Sequence, residues 1–297
     1  MNKKLILFLL CALPLLSLAQ RWKKQRHELV GAFGATNFLG DLGGANREGT
    51  HFVRDLDFIL TRPVVSGGYR YRIAENMAVK SNLHWAILSG NDKFTKEQFR
   101  NNRNLSFRSF TWELSSQFEY SFLKEKQGHR YKIKGAKGLK KINFETYLFA
   151  GIGLVRFNPK AKYNGKWYAL QPLGTEGQEL IPVSKKYKRL TLSIPMGFGM
   201  RYPINREMTI GFEYGLRYTF SDYIDDVSTD YYDRTAIQAA RGDVAAYFSD
   251  PSLGEHPNWT ILGEQRGDPK YKDAYMFAQF TFAYKISKNR RRTRAKF

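Results

Sequence analysis

Over residues 107–123 apolar and polar side chains alternate, with Ser116 the one small polar residue between Leu114 and Phe118 on the apolar face. Phe110, Trp112, Leu114, Phe118, Tyr120 and Phe122 fall on one face, and Ser109, Thr111, Glu113, Ser115, Gln117, Glu119 and Ser121 on the other. A period of two is the mark of a strand with one apolar and one polar face. Residues 77–88, 189–202 and 208–221 repeat the pattern. All four runs are much longer than the five or six residues of a usual soluble strand. Aromatics make up 15% of the chain although its mean hydropathy is only −0.50, which also argues against disorder.

Four weaker segments, 27–38, 63–73, 143–155 and 274–286, are Gly-rich or aromatic and end at turn residues, which brings the expected number of strands to eight. The first and fifth have no clear face. The links alternate: AEN at 74–76 and INRE at 204–207 are short, whereas those after strands 1, 3, 5 and 7 are long. Short periplasmic turns opposite long outer loops are the pattern of an outer-membrane barrel. The expected fold is therefore all-β, an eight-stranded antiparallel transmembrane β-barrel with short periplasmic turns and long extracellular loops. A soluble lipocalin-like barrel also has period-two strands, but it buries its large residues. The aromatic weight of one face, against small and polar residues on the other, favours the membrane.

The N-terminus reads as a secretory signal over 1–19: Lys3 and Lys4, an apolar run from Leu5 to Leu16, and small Ser17 and Ala19 before Gln20. The expected barrel then covers 20–287 and a basic tail 288–297. Cys11, the one cysteine, lies within the signal, so the mature chain is expected to hold together without disulfides.

Removing Lys3 and Lys4 from the formal +21 leaves +19. If both termini face the periplasm, three basic segments share that side. They are Arg21, Lys23, Lys24 and Arg26; the link with Lys124, Lys126, Arg130, Lys132, Lys134, Lys137, Lys140 and Lys141 against Glu125; and the tail with Lys288, Arg290, Arg291, Arg292, Arg294 and Lys296. Together they hold +17 of the +19. A basic mouth can meet anionic lipid headgroups of the outer membrane or dock an acidic periplasmic partner. The secretory signal argues against nucleic acid. The length of the 124–141 link suits a docking element, since a periplasmic turn needs only a few residues.

The same register turns Lys80, Glu113, Glu119, Arg201, Glu213, Arg217 and Lys285 into the lumen. Eight strands leave room there for side chains rather than a channel, so these charges are expected to form a paired structural plug. Enzyme chemistry has little support and no cofactor is expected. There is no HExxH, cysteine pair or GxSxG, and GIGLVR at 151–156 lacks the third glycine of a dinucleotide fingerprint. His51 with Asp55 and Asp57 could be forced into a hydrolytic role, but nothing pins them together. The acidic stretch 221–233, with Asp222, Asp225, Asp226, Asp230 and Asp233, does not have EF-hand spacing, and capping contacts with basic residues of neighbouring loops are the expected use.

Several segments resemble one known family: GATNFLGDLGG at 34–44, RNLSFRS at 103–109, YLFAGIGLVRFNPKAKYNGKWYALQPLGTEGQ at 147–178, PMGFGMRY at 195–202 and SDYIDDVST at 221–229. They are similar to the PorG-like outer-membrane barrels of the Bacteroidota type IX secretion system. That resemblance implies a non-enzymatic barrel associated with a periplasmic ring lipoprotein and its partner protein. Such a barrel serves protein secretion and, in gliding species, motility. It implies no catalytic residue and strengthens the docking reading of the basic mouth. The alternative is a binding or adhesion barrel acting through its long extracellular loops.

Overall fold

The computed structural model describes residues 25–42, 60–123, 144–180, 185–205 and 207–286. Ten strands form one sheet: β1 (His27–Leu39), β2 (Arg62–Arg72), β3 (Met77–Asn91), β4 (Ser106–Leu123), β5 (Glu145–Arg156), β6 (Pro159–Tyr163), β7 (Lys166–Ala169), β8 (Leu190–Pro203), β9 (Met208–Thr219) and β10 (Ala274–Ile286). Eight of them close on themselves in the order β3-β2-β1-β10-β9-β8-β5-β4, with β3 paired to β4. All pairings are antiparallel. The result is an eight-stranded antiparallel barrel.

Its polarity is the reverse of a soluble protein. Outward side chains are apolar and exposed, among them Phe33, Leu114, Leu148, Ile152, Leu192 and Phe280. The inward ones include Glu28, Arg70, Lys80, Glu113, Glu119, Arg201, Glu213 and Arg217, each no more than 4% exposed. Soluble proteins rarely expose contiguous apolar patches beyond a few hundred Å², and this one encircles the barrel. An outward apolar band around a polar interior belongs to a membrane-spanning barrel, and the protein is an outer-membrane β-barrel.

The two described hairpin turns at one end are tight. Ile73 and Ala74 N–H donate to the Met77 carbonyl, and Ile204 N–H donates to that of Met208. The Asn205 side chain accepts from the N–H groups of Glu207 and Met208 at 2.8 and 2.7 Å, holding the turn by a local side-chain bond.

The other end is built up into a cap that the sequence reading treats as plain loops. Three helices stand in it: α1 (Gln98–Arg103), α2 (Arg234–Arg241) and α3 (Asp243–Ser249). The link between β5 and β8 carries the β6–β7 hairpin. Asn164 and Gly165 have φ of 47° and 81°, the positive values that a tight two-residue hairpin turn requires. β6 continues the ladder of β5 along β4: Trp112 faces Arg156, and Arg108 faces Lys160. An apolar core joins the outer barrel to the cap, with Phe38, Leu42, Val64, Leu88, Phe107, Val155, Phe157, Ile224, Phe248 and Phe277 buried together.

Candidate functional site

The inward charges at the short-turn end form one lattice. Arg70 contacts Glu28 and Glu119 at 2.9 Å each and Glu213 at 3.7 Å. Arg72 reaches Glu28 at 2.8 Å and Glu145 at 3.5 Å. Arg201 joins Glu119 at 3.0 Å to Glu145 at 2.9 Å. Lys80 bonds Glu213 and lies 3.4 Å from Glu119. Four carboxylates thus meet four cations, supplied by β1, β2, β3, β4, β5, β8 and β9, and the lattice is electrically neutral. Buried charges persist only when paired and hydrogen-bonded, and here each has at least two opposite neighbours.

Aromatic rings fill the space between the charges. The Arg201 guanidinium lies 4.0 Å from the centre of the Tyr147 ring, and Lys80 lies 5.6 Å from that of Phe149. Gly199 and Gly215 make this possible. A Cβ on Gly199 would collide with the Tyr147 ring, and one on Gly215 would stand 2.6 Å from Phe149. Higher in the bore, Tyr275 donates to Glu113 at 2.6 Å, Arg217 stands 3.7 Å from Glu113, and its guanidinium stacks 4.1 Å from the Phe277 ring.

The cap has its own buried charges. Arg103 donates to Asp92, to the Arg266 carbonyl at 2.6 Å and to the Asp41 carbonyl at 2.8 Å. Arg266 donates to Glu176 at 2.9 Å and to the Asp226 carbonyl at 2.8 Å. Asp225 accepts from Leu42 and Val227 N–H, and Asp273 accepts from Ile224 N–H at 2.8 Å. Burial pushes the Asp226 carboxyl up to about 7, against the lowering pull of Arg266 and the hydroxyls of Thr175 and Tyr187. Burial likewise raises Asp222 to about 6, against its bond from Ser228.

Of the residues assigned to the lumen from sequence, Lys80, Glu119, Arg201 and Glu213 are members of the lattice, and Glu113 and Arg217 stand above it. Lys285 is buried at 1% exposure. Sequence reasoning missed Glu28, Arg70, Arg72, Glu145 and Tyr147. In the acidic stretch, Asp226 accepts from Thr175 and Tyr187, Asp233 caps α2 through Thr235, and Asp230 pairs in a β-bridge with Gln265. Only Asp222 faces a lysine, Lys272, at 3.9 Å. Its neighbours receive mostly hydroxyl and backbone donors rather than the basic side chains expected. Among the described residues no group of three or more His, Cys, Asp or Glu side chains is placed to hold a metal ion. Lys124, Lys126, Arg130, Lys132, Lys134, Lys137, Lys140, Lys141, Arg290, Arg291 and Arg292 lie outside the described residues, as do the signal segment 1–19, the tail 288–297, His51, Asp55 and Asp57.

A family described as a domain of unknown function, DUF6089, matches residues 3–243. The chain belongs to the DUF6089 family. The DUF6089 match takes in β1 to β9 and α2 and stops before β10, the strand that closes the barrel. No curated protein shows significant sequence similarity to the chain. Among solved structures it is similar to the N-terminal barrel domain of Pseudomonas aeruginosa OprF, at 9% identity and TM-score 0.34 over 88% of this chain and 98% of that one. It is similar also to Neisserial surface protein A, at 8% identity and TM-score 0.38 over 88% and 96%. The Escherichia coli outer membrane protein W matches at 14% identity and TM-score 0.32 over 89% and 99%.

Proposed function

We propose that this outer-membrane barrel is a non-enzymatic anchor of the type IX protein secretion apparatus, docking a periplasmic ring lipoprotein and its partner through its basic periplasmic face. The observation that carries the reading is the filled bore. A neutral ion lattice occupies one end and an apolar core the other, so the work of the molecule belongs to its rims rather than to solute passage. Two described turns need only the residues between Arg72 and Met77 and between Pro203 and Met208. The 124–141 link is far longer and carries +7, which supports docking of an acidic surface. The sequence resemblance to PorG-like barrels supplies the apparatus.

The test places photoreactive residues at 132, 137 and 140 in the cell-borne protein. Crosslinks to one periplasmic protein are expected, together with loss of secretion when Lys132, Lys134, Lys137, Lys140 and Lys141 are all replaced by Glu in a barrel that still inserts and remains heat-modifiable. Unchanged secretion in that variant overturns the docking reading.

A second reading, binding or adhesion through the outer loops, draws on a different observation. Leu253, Ile261, Leu262 and Tyr271 on the cap are each more than half exposed, and exposed apolar groups are a feature of binding surfaces. Crosslinks confined to 250–271 would favour it.

A further inference from the structure

Near the outer rim, the outward face of β4, β5, β6 and β8 changes character over a few ladder steps. On the membrane side it carries Leu114, Leu154 and Leu192, all exposed and paired on one rung. At the rim it carries cations. Arg156 faces Trp112 on one side and Leu190 on the other. Two outward positions further along the same ladder stands Lys160, opposite Arg108. Strand alternation puts Arg108, Phe110 and Trp112 on one face of β4, so Arg108, Arg156 and Lys160 border one stretch of wall.

Arg108 is held in place. Its guanidinium lies 5.3 Å from the centre of the Phe110 ring and 5.7 Å from that of Trp167 at the tip hairpin. Its Nε is buried without a hydrogen-bond acceptor. Among the described residues no carboxylate answers these three cations. The acids of β4 and β5, Glu113, Glu119 and Glu145, are buried in the bore, and β6 and β8 contain none. The eight charges of the lattice are each matched, whereas among the described residues these outward ones are not.

We propose that Arg108, Arg156 and Lys160 bind the phosphorylated headgroup of an outer-leaflet glycolipid whose acyl chains lie along Leu114, Leu154 and Leu192. Guanidinium forks match phosphate oxygens in pairs, and a nearby ammonium adds a point charge. The apolar wall immediately below fits the chains of a lipid and offers nothing to a free anion. The site stands apart from the docking reading, since it lies on the opposite rim and uses none of the residues of 124–141.

The test uses the full-length barrel in detergent micelles, with native mass spectrometry to follow bound lipid. The probes are outer-membrane glycolipid, the same glycolipid after enzymatic dephosphorylation, and inorganic phosphate as competitor. Wild-type protein is expected to retain phosphorylated glycolipid about tenfold more tightly than the dephosphorylated form. The triple variant R108Q/R156Q/K160Q should lose that preference while remaining heat-modifiable. Equal retention of the two glycolipids by wild-type protein overturns the proposal and needs no variant to fold. So does an unchanged preference in the triple variant. Displacement of the glycolipid by millimolar phosphate alone marks a simple anion site and overturns the lipid assignment.

Discussion

Arg103 donates to the backbone carbonyl of Arg266 at 2.6 Å, which links the two buried guanidinium groups of the cap in series. Arg103 ties the segment after β1, through the Asp41 carbonyl, to Asp92 after β3. Arg266 ties Glu176, between β5 and β8, to Asp226 after β9. All four long outer links are thus joined through two side chains. The cap is a folded layer whose integrity depends on them.

Arg103→Met is therefore expected to loosen the cap and spare the barrel. Removing one partner of a buried ion pair costs about 3–5 kcal/mol, and here Asp92 is left buried without its strongest donor. Limited proteolysis of the membrane-inserted protein should cut within 92–105 and 220–273 in the variant only, with heat-modifiability retained. Equal protease resistance would show that Arg103 is dispensable to the cap.

In the bore, Lys80→Met is expected to destabilise by about 3–5 kcal/mol, because Glu213 and Glu119 lose a buried cation. Lys80→Met combined with Glu213→Gln restores neutrality and should cost less than the sum of the two single changes by about 1–3 kcal/mol. Urea unfolding in micelles, followed by tryptophan fluorescence, measures the cycle. Simple additivity would show that the lattice is not coupled.

The cap should be more stable in mild acid. Asp226 titrates at about 7 in the folded protein and near 3.9 when unfolded. The folded state therefore holds the extra proton between those values, and stability falls as pH rises from about 4 to about 7, then levels off. Asp222, raised to about 6, acts in the same direction. Proteolysis of the cap should be slower at pH 5.5 than at pH 8, and Asp226→Asn should give the pH 8 protein most of the acid protection. A rate that rises on acidification would contradict this assignment.

Leu114 stands 58% exposed near the middle of β4. If the outward band faces lipid, Leu114→Arg costs about 2–4 kcal/mol, whereas the same change nearer a strand end costs about 1 or less. Refolding into bilayers reads the difference between Leu114→Arg and Phe122→Arg. Equal costs would displace the membrane from the middle of β4.

Gly199→Val should be poorly tolerated, since its side chain would enter the space of the Tyr147 ring that stacks on Arg201. Overpacking of this kind costs about 1–3 kcal/mol, and Tyr147→Ala in the same chain should recover part of it. Unfolding midpoints of the two variants provide the comparison.

The barrel was legible because β3, β4, β8 and β9 keep their large apolar side chains on the outward face. β1 and β5 hide the same alternation. Their inward positions hold Val30, Ala32 and Phe38 in one and Tyr147, Phe149 and Val155 in the other, so both faces read as apolar. That is why Glu28 and Glu145 escaped notice, although each is the lone acid of its strand. In β2 the Gly67-Gly68 pair interrupts the alternation, which hides that Arg70 and Arg72 face inward in alternation with outward Tyr69 and Tyr71. The β6–β7 hairpin had a local signal, Asn164-Gly165 between short runs of strand-forming residues, which went unused. The joining of the cap through Arg103 and Arg266 had none, because its bonds run between separate links, up to 163 residues apart.

The pairing of β1 with β10 along their full thirteen residues has a consequence for how the molecule is made. Glu28 and Arg70 sit on the first two barrel strands, but the other partners of Arg70, Glu119 and Glu213, arrive with β4 and β9, and the wall around them shuts only when β10 joins β1. Until then the first strand presents a bare edge and the charges lie in an open trough. Synthesis and commitment are thereby separated: the last strand is both the seam and the timer, and a chain stalled before it cannot settle prematurely into a sealed form.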